Sequence, residues 1–385
     1  MKVLFLTRHY LDQMLGGPNC SKAFACAIAS IFNDATIIYP EHNETDSNLT
    51  IFNDYPNLKL IPVRDKRNKF QKVLDVYCGR LHRFTSFVSK FLKENSFDII
   101  FIDHSLTASS GILRSAIANQ SRIITFHHNV EEQYYKDNKP SILYRIPYIY
   151  YALKAEHEAL LNSDINITLT EEDKIYFQQK FPNKKDTFYN IGIFEYEKGE
   201  STLISKNEDM TFVISGSLNS KQSETAIINF IKYYLPILNS ICPKANITIT
   251  GRNPSKHLLE IIKKHDNIKT VINPPNLSEV ISKNNFYICP IFTGGGLKLR
   301  CLDAFRVGLP TISHIVSARG YEPMCNEGFM KIYSNQAEFA NKLTELLGLH
   351  HCHKQVRRCF FSYYALASGT ERLKQILERN NILHK

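Results

Sequence analysis

Three stretches of the sequence carry residue types able to do chemistry, each just after a run that reads as a β-strand. In FTGGGLKLRCLDA (292–304), three glycines follow the strand-like YICPI (287–291) and lead into two cations at alternate positions and then an acid. Glycine is costly in regular structure. It does leave main-chain N–H groups uncovered, and at a helix start those groups and the helix dipole attract an anion. Gly294, Gly295, Gly296 and Leu297 therefore read as a diphosphate-binding loop, with Lys298 and Arg300 adding formal positive charge. Asp303 falls in the first turns of the next helix, where a carboxylate could accept hydrogen bonds from a pair of hydroxyls. TFHHNVEEQYY (125–135) places His127 and His128 where a strand should end, and histidine is the commonest general base in catalysis. LGGPNC (15–20) offers Gly16 and Gly17 for close backbone approach in a turn before a helix. It is not GxGxxG, which disfavours a nicotinamide cofactor. LHHCHKQVRRC (349–359) gathers histidines and cysteines without CxxC or HxxxH spacing, and reads as a solvated basic helix end rather than a metal site.

The elements that must position these residues alternate along the chain. KVLFLT (2–7), ATIIYP (35–40), LKLIPV (58–63), FDIIFID (97–103), RIITFH (122–127) and INITLT (165–170) are near-continuous apolar runs, as expected of parallel strands covered on both faces. Helical stretches at 21–32, 76–95 and 143–163 lie between them, with Pro147 marking a first turn in the last. The alternation restarts at TFVISG (211–216) and runs through ANITITG (245–251), IKTVIN (268–273), FYICPI (286–291) and TISHIV (311–316). Two such series predict an α/β protein of two doubly wound parallel-sheet domains, joined through the polar segment 181–210.

Bulk properties narrow the class. A chain of 385 residues exceeds one ordinary core, and 43% hydrophobic with 22% charged residues is normal for globular domains. The net charge of +10 suits anionic substrates or surfaces, but no run of five like charges occurs, so a nucleic-acid arm is not expected. RDKRNK (64–69) is the densest basic patch; beside the aromatic run YRIPYIYYAL (144–153) it suggests docking on an anionic membrane surface. Nine cysteines without a CxxC pair suit a reducing compartment, and no run approaches the 18 or so apolar residues of a membrane span. The expectation is a cytoplasmic protein that can rest on the inner face of the membrane.

The motifs together resemble a family. FYICPIFTGGGLKLRCLDAFRVGLPTISH (286–314) is similar to the signature of retaining glycosyltransferases of the GT-B fold, in the family-4-like group that builds bacterial surface polysaccharides. ISGSLNSKQSETAIINFIKYYLPILNSICPKANITITGRNP (214–254) follows the same group's strand, Gly-Ser, helix, strand and Gly-Arg course. The resemblance implies two Rossmann-like domains facing across a cleft, an acceptor domain at 1–195 with a returning terminal helix at 361–385, and a donor domain at 196–360. It implies that His128 contacts the transferred sugar, that Gly16, Gly17, Gly216 and Ser217 lie by the donor phosphates, and that Lys298 and Arg300 stabilise the leaving diphosphate. Asp303 stands where the family has a ribose-binding Glu, one methylene longer. Gly295 and Arg319 also stand where relatives often carry Glu. The implied activity is metal-independent transfer of a hexosyl unit from a nucleotide-diphosphate sugar, without a further cofactor, to a saccharide or lipid-linked acceptor. A nucleotide-sugar 2-epimerase of the same architecture and a non-catalytic nucleotide-sugar binder are the alternatives.

Overall fold

The computed structural model describes residues 1–13, 16–41, 46–65, 67–81, 85–108, 111–137, 139–196, 210–294 and 296–383. It divides into two compact units, Met1–Lys198 with Ala365–Lys385, and Gly199–Tyr364.

The first unit runs β1 (Lys2–Thr7), α1 (Gly16–Ile31), β2 (Asp34–Glu41), β3 (Leu58–Arg64), α2 (Lys69–Tyr77), α3 (Thr85–Glu94) and β4 (Ile99–Asp103). It continues with α4 (Ile112–Ala118), β5 (Arg122–His127), α5 (Glu131–Asp137), α6 (Arg145–Asn162), β6 (Ile165–Thr168), α7 (Glu171–Lys180) and β7 (Phe188–Asn190). The strands form one parallel sheet in the order β3-β2-β1-β4-β5-β6-β7. Val3 to Leu6 and Ile99 to Ile102 are buried on both faces, which is why those runs are apolar without alternation. The chain winds outward from β1 to β3, then returns to pair β4 on the other side of β1. Thr7 and Asp103 end adjacent strands at that reversal, in register with each other.

The second unit repeats the plan with β8 (Thr211–Ser217), α8 (Lys221–Asn229), α9 (Leu235–Ile241), β9 (Asn246–Arg252), α10 (Lys256–Ile262), β10 (Ile268–Ile272) and α11 (Leu277–Ser282). There follow β11 (Phe286–Cys289), α12 (Arg300–Arg306), β12 (Thr311–His314), α13 (Glu322–Asn326), β13 (Met330–Tyr333), α14 (Gln336–Leu347) and α15 (His353–Tyr363). Its parallel order is β10-β9-β8-β11-β12-β13, with the reversal between β8 and β11. A π-helical turn, Phe230–Tyr234, joins α8 to α9 ahead of Pro236, whose missing N–H cannot join an α-helical ladder. The last helix, α16 (Leu366–Arg379), belongs to the first unit, packs on α1 and buries Leu373, Ile376 and Leu377. Gly369 lets it approach Phe194, whose ring a Cβ there would meet at 2.1 Å, and Arg372 donates to the Ile191 carbonyl at 2.6 Å.

The fold class is as the sequence predicts, with local corrections. The expected helix 76–95 is two helices, α2 and α3; the first stops ahead of Gly79, which sits at φ 73° against the Tyr151 ring. The expected terminal helix 361–385 is likewise split between α15 and α16. The segment read as a linker contributes β7 to the first sheet, and its residues 197–209 lie outside the described residues. The 349–359 stretch is not merely solvated: His353, Val356 and Cys359 are buried on α15, and His353 Nδ1 meets the Gly308 carbonyl at 2.8 Å.

Candidate functional site

In open parallel sheets, ligands bind beyond the strand C-termini where the winding reverses. Both units place their unusual residues there. In the first, β1 runs into Arg8 and His9, β4 ends in Asp103 and His104, and β5 ends in His127 and His128.

Asp103 is the centre of this group and is completely buried. Its Oδ2 accepts from Thr7 Oγ1 and from Ser21 Oγ, both at 2.6 Å, and its Oδ1 meets His128 Nε2 at 2.7 Å. Burial works to raise its pKa, yet the nearby His128 and His9 outweigh that and hold it well below the ordinary carboxylate range. An ionised Asp103 can only accept, so His128 Nε2 is a protonated nitrogen that donates to it. Ser21 spends its hydrogen on Asp103, so His9 Nδ1, 2.7 Å from Ser21 Oγ, must donate. One carboxylate thereby fixes the tautomer of two imidazoles, the orienting logic of a catalytic triad. Burial lowers the pKa of His9 to about 4 and that of His104 well below its usual value, so both are neutral at pH 7. Gly17 is required beside them, because a Cβ there would stand 2.7 Å from His9 Nε2. His9, Asp103 and His128 offer ligand atoms within 4.8 Å of one another, a grouping of the size that holds a metal ion. Those atoms are engaged with each other and with Thr7 and Ser21.

A second layer lies behind. Glu131 Oε1 accepts from Ser105 Oγ at 3.3 Å and stands 3.5 Å from His104 Nε2. Burial raises the Glu131 pKa to about 7 and, with the Glu131 charge adding to burial, that of Glu156 to about 8. His104 itself has a positive φ of 71°, a conformation costly for a side-chain-bearing residue and typical of functional sites.

In the second unit, Arg300 opens α12 and reaches back to the end of β8, donating to the Ser215 carbonyl at 3.0 Å and to Ser223 Oγ at 3.1 Å. Gly216, at φ 148°, is what lets it lie there: a Cβ would meet Arg300 Nη1 at 2.5 Å. Ser217 follows as an exposed residue at the strand end. Gly294 and Gly296 take φ values of 85° and 75°, open to glycine at no steric cost. Lys298 Nζ donates to their carbonyls at 3.2 and 3.0 Å, and burial lowers its pKa to about 8. Leu297, between Gly296 and Lys298 in sequence, is half-buried, and Gly295 lies outside the described residues.

Some expectations change. Gly16 and Gly17 are not a turn before a helix but the first residues of α1. Asp303 faces Arg306 Nη2 at 3.5 Å, an internal partner that the sequence does not announce. His127 is fully buried, with Nε2 2.9 Å from Asn166 Oδ1, so the adjacent histidines are divided between core and site. Thr7, His9, Ser21, Asp103 and His104 were not expected at the site. The available signal was the same strand-end rule that found His128, applied to the TRHY and IDHS ends of β1 and β4.

Two doubly wound parallel sheets, with a terminal helix returned to the first unit, define the GT-B fold. Solved structures agree. The chain is similar to Anabaena HepE in complex with UDP and glucose at 10% identity and a TM-score of 0.63, covering 98% of this chain and 99% of that one. It is similar to a glycosyltransferase from Rickettsia africae at 10% identity and a TM-score of 0.66, covering 99% and 98%. WaaG, a glycosyltransferase involved in lipopolysaccharide biosynthesis, gives 15% identity and a TM-score of 0.65 over 97% and 99%. At such identities the likeness is one of fold. Neither a family model nor a curated protein matches the sequence.

Proposed function

We propose that the protein is a glycosyltransferase that moves a hexosyl unit from a nucleotide-diphosphate sugar to a hydroxyl of a saccharide or lipid-linked saccharide, in the synthesis of a surface polysaccharide. The observation that carries this reading is the strand-end loop of the second unit, where Gly216 makes room for Arg300 and Lys298 is held on the Gly294 and Gly296 carbonyls, a glycine-lined pair of cations that we read as an anion site. The fold shared with proteins solved with UDP or UDP-glucose supports the same donor class.

In this reading Lys298 and Arg300, with the main-chain amides about Gly294, Gly295, Gly296 and Leu297, balance the charge that develops on the leaving diphosphate. Gly216 and Ser217 are assigned to that group and Asp303 to the ribose, and the family resemblance assigns Gly16 and Gly17 at the start of α1 to the donor phosphates. His128, held by Asp103, is assigned to the sugar being transferred. The cations supply what a metal would supply elsewhere, so the reaction is proposed to be metal-independent and to retain anomeric configuration, as the family resemblance implies. The work is assigned to the cytoplasmic side of the membrane.

The test is a panel of nucleotide sugars incubated with the purified chain while its thermal midpoint is followed. At least one should raise the midpoint and be consumed, with release of its nucleoside diphosphate, when saccharide acceptors are added. The anomer of the product then tests retention. Binding without turnover across a broad acceptor set would favour the non-catalytic binder, and isomerisation of the free donor would favour the epimerase.

A further inference from the structure

The second unit holds a cavity of about 390 Å³ that the donor assignment does not use. It opens where β12 and β13 end, at His314 and Tyr333, and is closed by α8 with its π-helical turn, by Pro290 and Phe292 after β11, and by the start of α14. Its size falls in the range of ligand pockets, roughly 300–1,000 Å³. Phe292 precedes Gly294 by two residues, so the cavity and the glycine loop leave the same strand end, yet no residue assigned to the donor lines it. The lining is aromatic and uncharged. Phe230, Tyr233 and Tyr234 follow at i, i+3 and i+4 on the cavity side of the π-helical turn. His314 and Tyr333 meet edge to face at 5.5 Å and 89°, Tyr234 and Tyr333 are tilted at 5.1 Å and 56°, and Phe292 stands 6.3 Å from His314 at 74°. Burial lowers the His314 pKa, so that ring is neutral at pH 7. In a chain of net charge +10, no charged side chain lines this cavity.

Polar groups wait there without partners. Tyr333 is 1% exposed, and neither its hydroxyl, nor that of Tyr234, nor the side-chain amide of Asn229 has a hydrogen-bond partner among the described residues. A buried hydroxyl left unpaired costs stability, and a ligand that pairs it removes that cost. The frame around them is held. Gln336 Nε2 donates to the Tyr233 carbonyl at 2.8 Å and so ties the start of α14 to the π-helical turn, a distortion frequent at functional sites. Glu338, one turn further on, is taken up by the Ser334 N–H and hydroxyl, both at 2.8 Å. A phosphate or carboxylate would need a cation that the lining lacks. A flat base would need parallel ring faces, and these rings are tilted into a bowl. A puckered, uncharged ring with C–H faces and hydroxyl edges meets both conditions.

We propose that this cavity is a saccharide-binding pocket, separate from the diphosphate loop, in which Asn229, Tyr234 and Tyr333 bond the hydroxyls of an uncharged hexosyl unit while Phe292 and His314 cover its C–H faces. It deepens the proposed transfer, on which its biological use rests, by giving the saccharide acceptor a hold on the second unit. The residues that carry it are independent of the donor site.

The experiment is saturation-transfer NMR of the full-length chain with glucose, galactose, mannose, rhamnose and N-acetylglucosamine, as single sugars and short oligosaccharides. UDP, GDP and ADP are present to occupy the diphosphate loop. At least one saccharide should bind, and Tyr333→Phe and Asn229→Ala should each weaken it roughly threefold or more. Tyr333→Phe should keep or raise the thermal midpoint, because the hydroxyl has no partner to lose, which separates a binding role from a structural one. Both variants should keep the wild-type affinity for nucleoside diphosphate. No saccharide binding, or binding indifferent to both substitutions, would overturn the proposal. So would displacement of the saccharide by uridine or adenosine, which would give the pocket to a base. Saccharide binding that depends on Tyr333, in a chain that binds no nucleoside diphosphate, would sink the donor reading and leave this pocket standing.

Discussion

The two units use the same topology to build opposite kinds of site. At the reversal of the first sheet, the chemistry is side chain against side chain: Asp103 is buried and bonded to Thr7, Ser21 and His128. At the reversal of the second, the chemistry is backbone and cation. Lys298 and Arg300 donate to main-chain carbonyls and a serine hydroxyl, which place both positive charges at the strand end among glycines. Orienting an imidazole needs prior rigidity, since a proton acceptor works only in a fixed tautomer and direction. Holding a diphosphate needs positive charge and bare amides. One fold can build both arrangements because strand ends can be finished either by packed polar residues or by glycine.

That contrast can be broken at several points. Asp103→Asn should have the largest effect, because it removes the charge that sets His128 and His9 together; transfer should fall by roughly 10²–10⁴-fold, read as kcat with circular dichroism confirming the fold. An unchanged kcat would reduce the buried network to a structural role. Arg300→Ala should follow, lowering kcat by about 10²–10³-fold through loss of one diphosphate donor while the thermal midpoint stays near wild type. Near-normal turnover would remove Arg300 from the mechanism.

Gly216→Ala separates backbone from cation. It strains a φ of 148° and displaces Arg300. Denaturant unfolding should therefore show a loss of about 1–3 kcal/mol together with weaker binding of nucleoside diphosphate. A stable variant with normal binding would mean that the close approach is incidental.

A different kind of effect is a pH signature of the first unit alone. Glu156, raised by burial and the Glu131 charge to about 8 from an ordinary 4.5, holds its proton more tightly when folded. The folded state therefore loses stability as pH climbs from the ordinary glutamate range towards 8, by at most about 1.4 kcal/mol for each pH step of one. Glu156→Gln should flatten that slope, so its thermal midpoint should gain on wild type steadily between about pH 5 and 8. Parallel curves would show that Glu156 ionises without cost.

The sheets were legible because strands buried on both faces leave unbroken apolar runs, as in FDIIFID and FYICPI. Phe188–Asn190 and Met330–Tyr333 were not, being three and four residues long in polar surroundings. The start of α1 was hidden by Gly16 and Gly17, poor helix formers, the second of which is kept for the approach of His9 rather than for the helix. In the second unit the glycines, cations and helix start are legible together because they lie within one stretch. In the first unit's polar network only His128 was singled out. Thr7, Ser21, Asp103 and His128 come from four separated segments, and Asp103 looks in sequence like any acid ending a strand. Only the pairing of β1 with β4 and β4 with β5 makes them neighbours.

The most direct test of the donor site is calorimetric titration of UDP, GDP and ADP, each beside its nucleoside, into the wild-type chain and Arg300→Ala. One nucleoside diphosphate should bind roughly tenfold or more tightly than its nucleoside, with that advantage largely lost in the variant. If no diphosphate binds, or if binding is indifferent to the diphosphate and to Arg300, the glycine-lined loop is not a nucleotide-sugar site and the account is wrong.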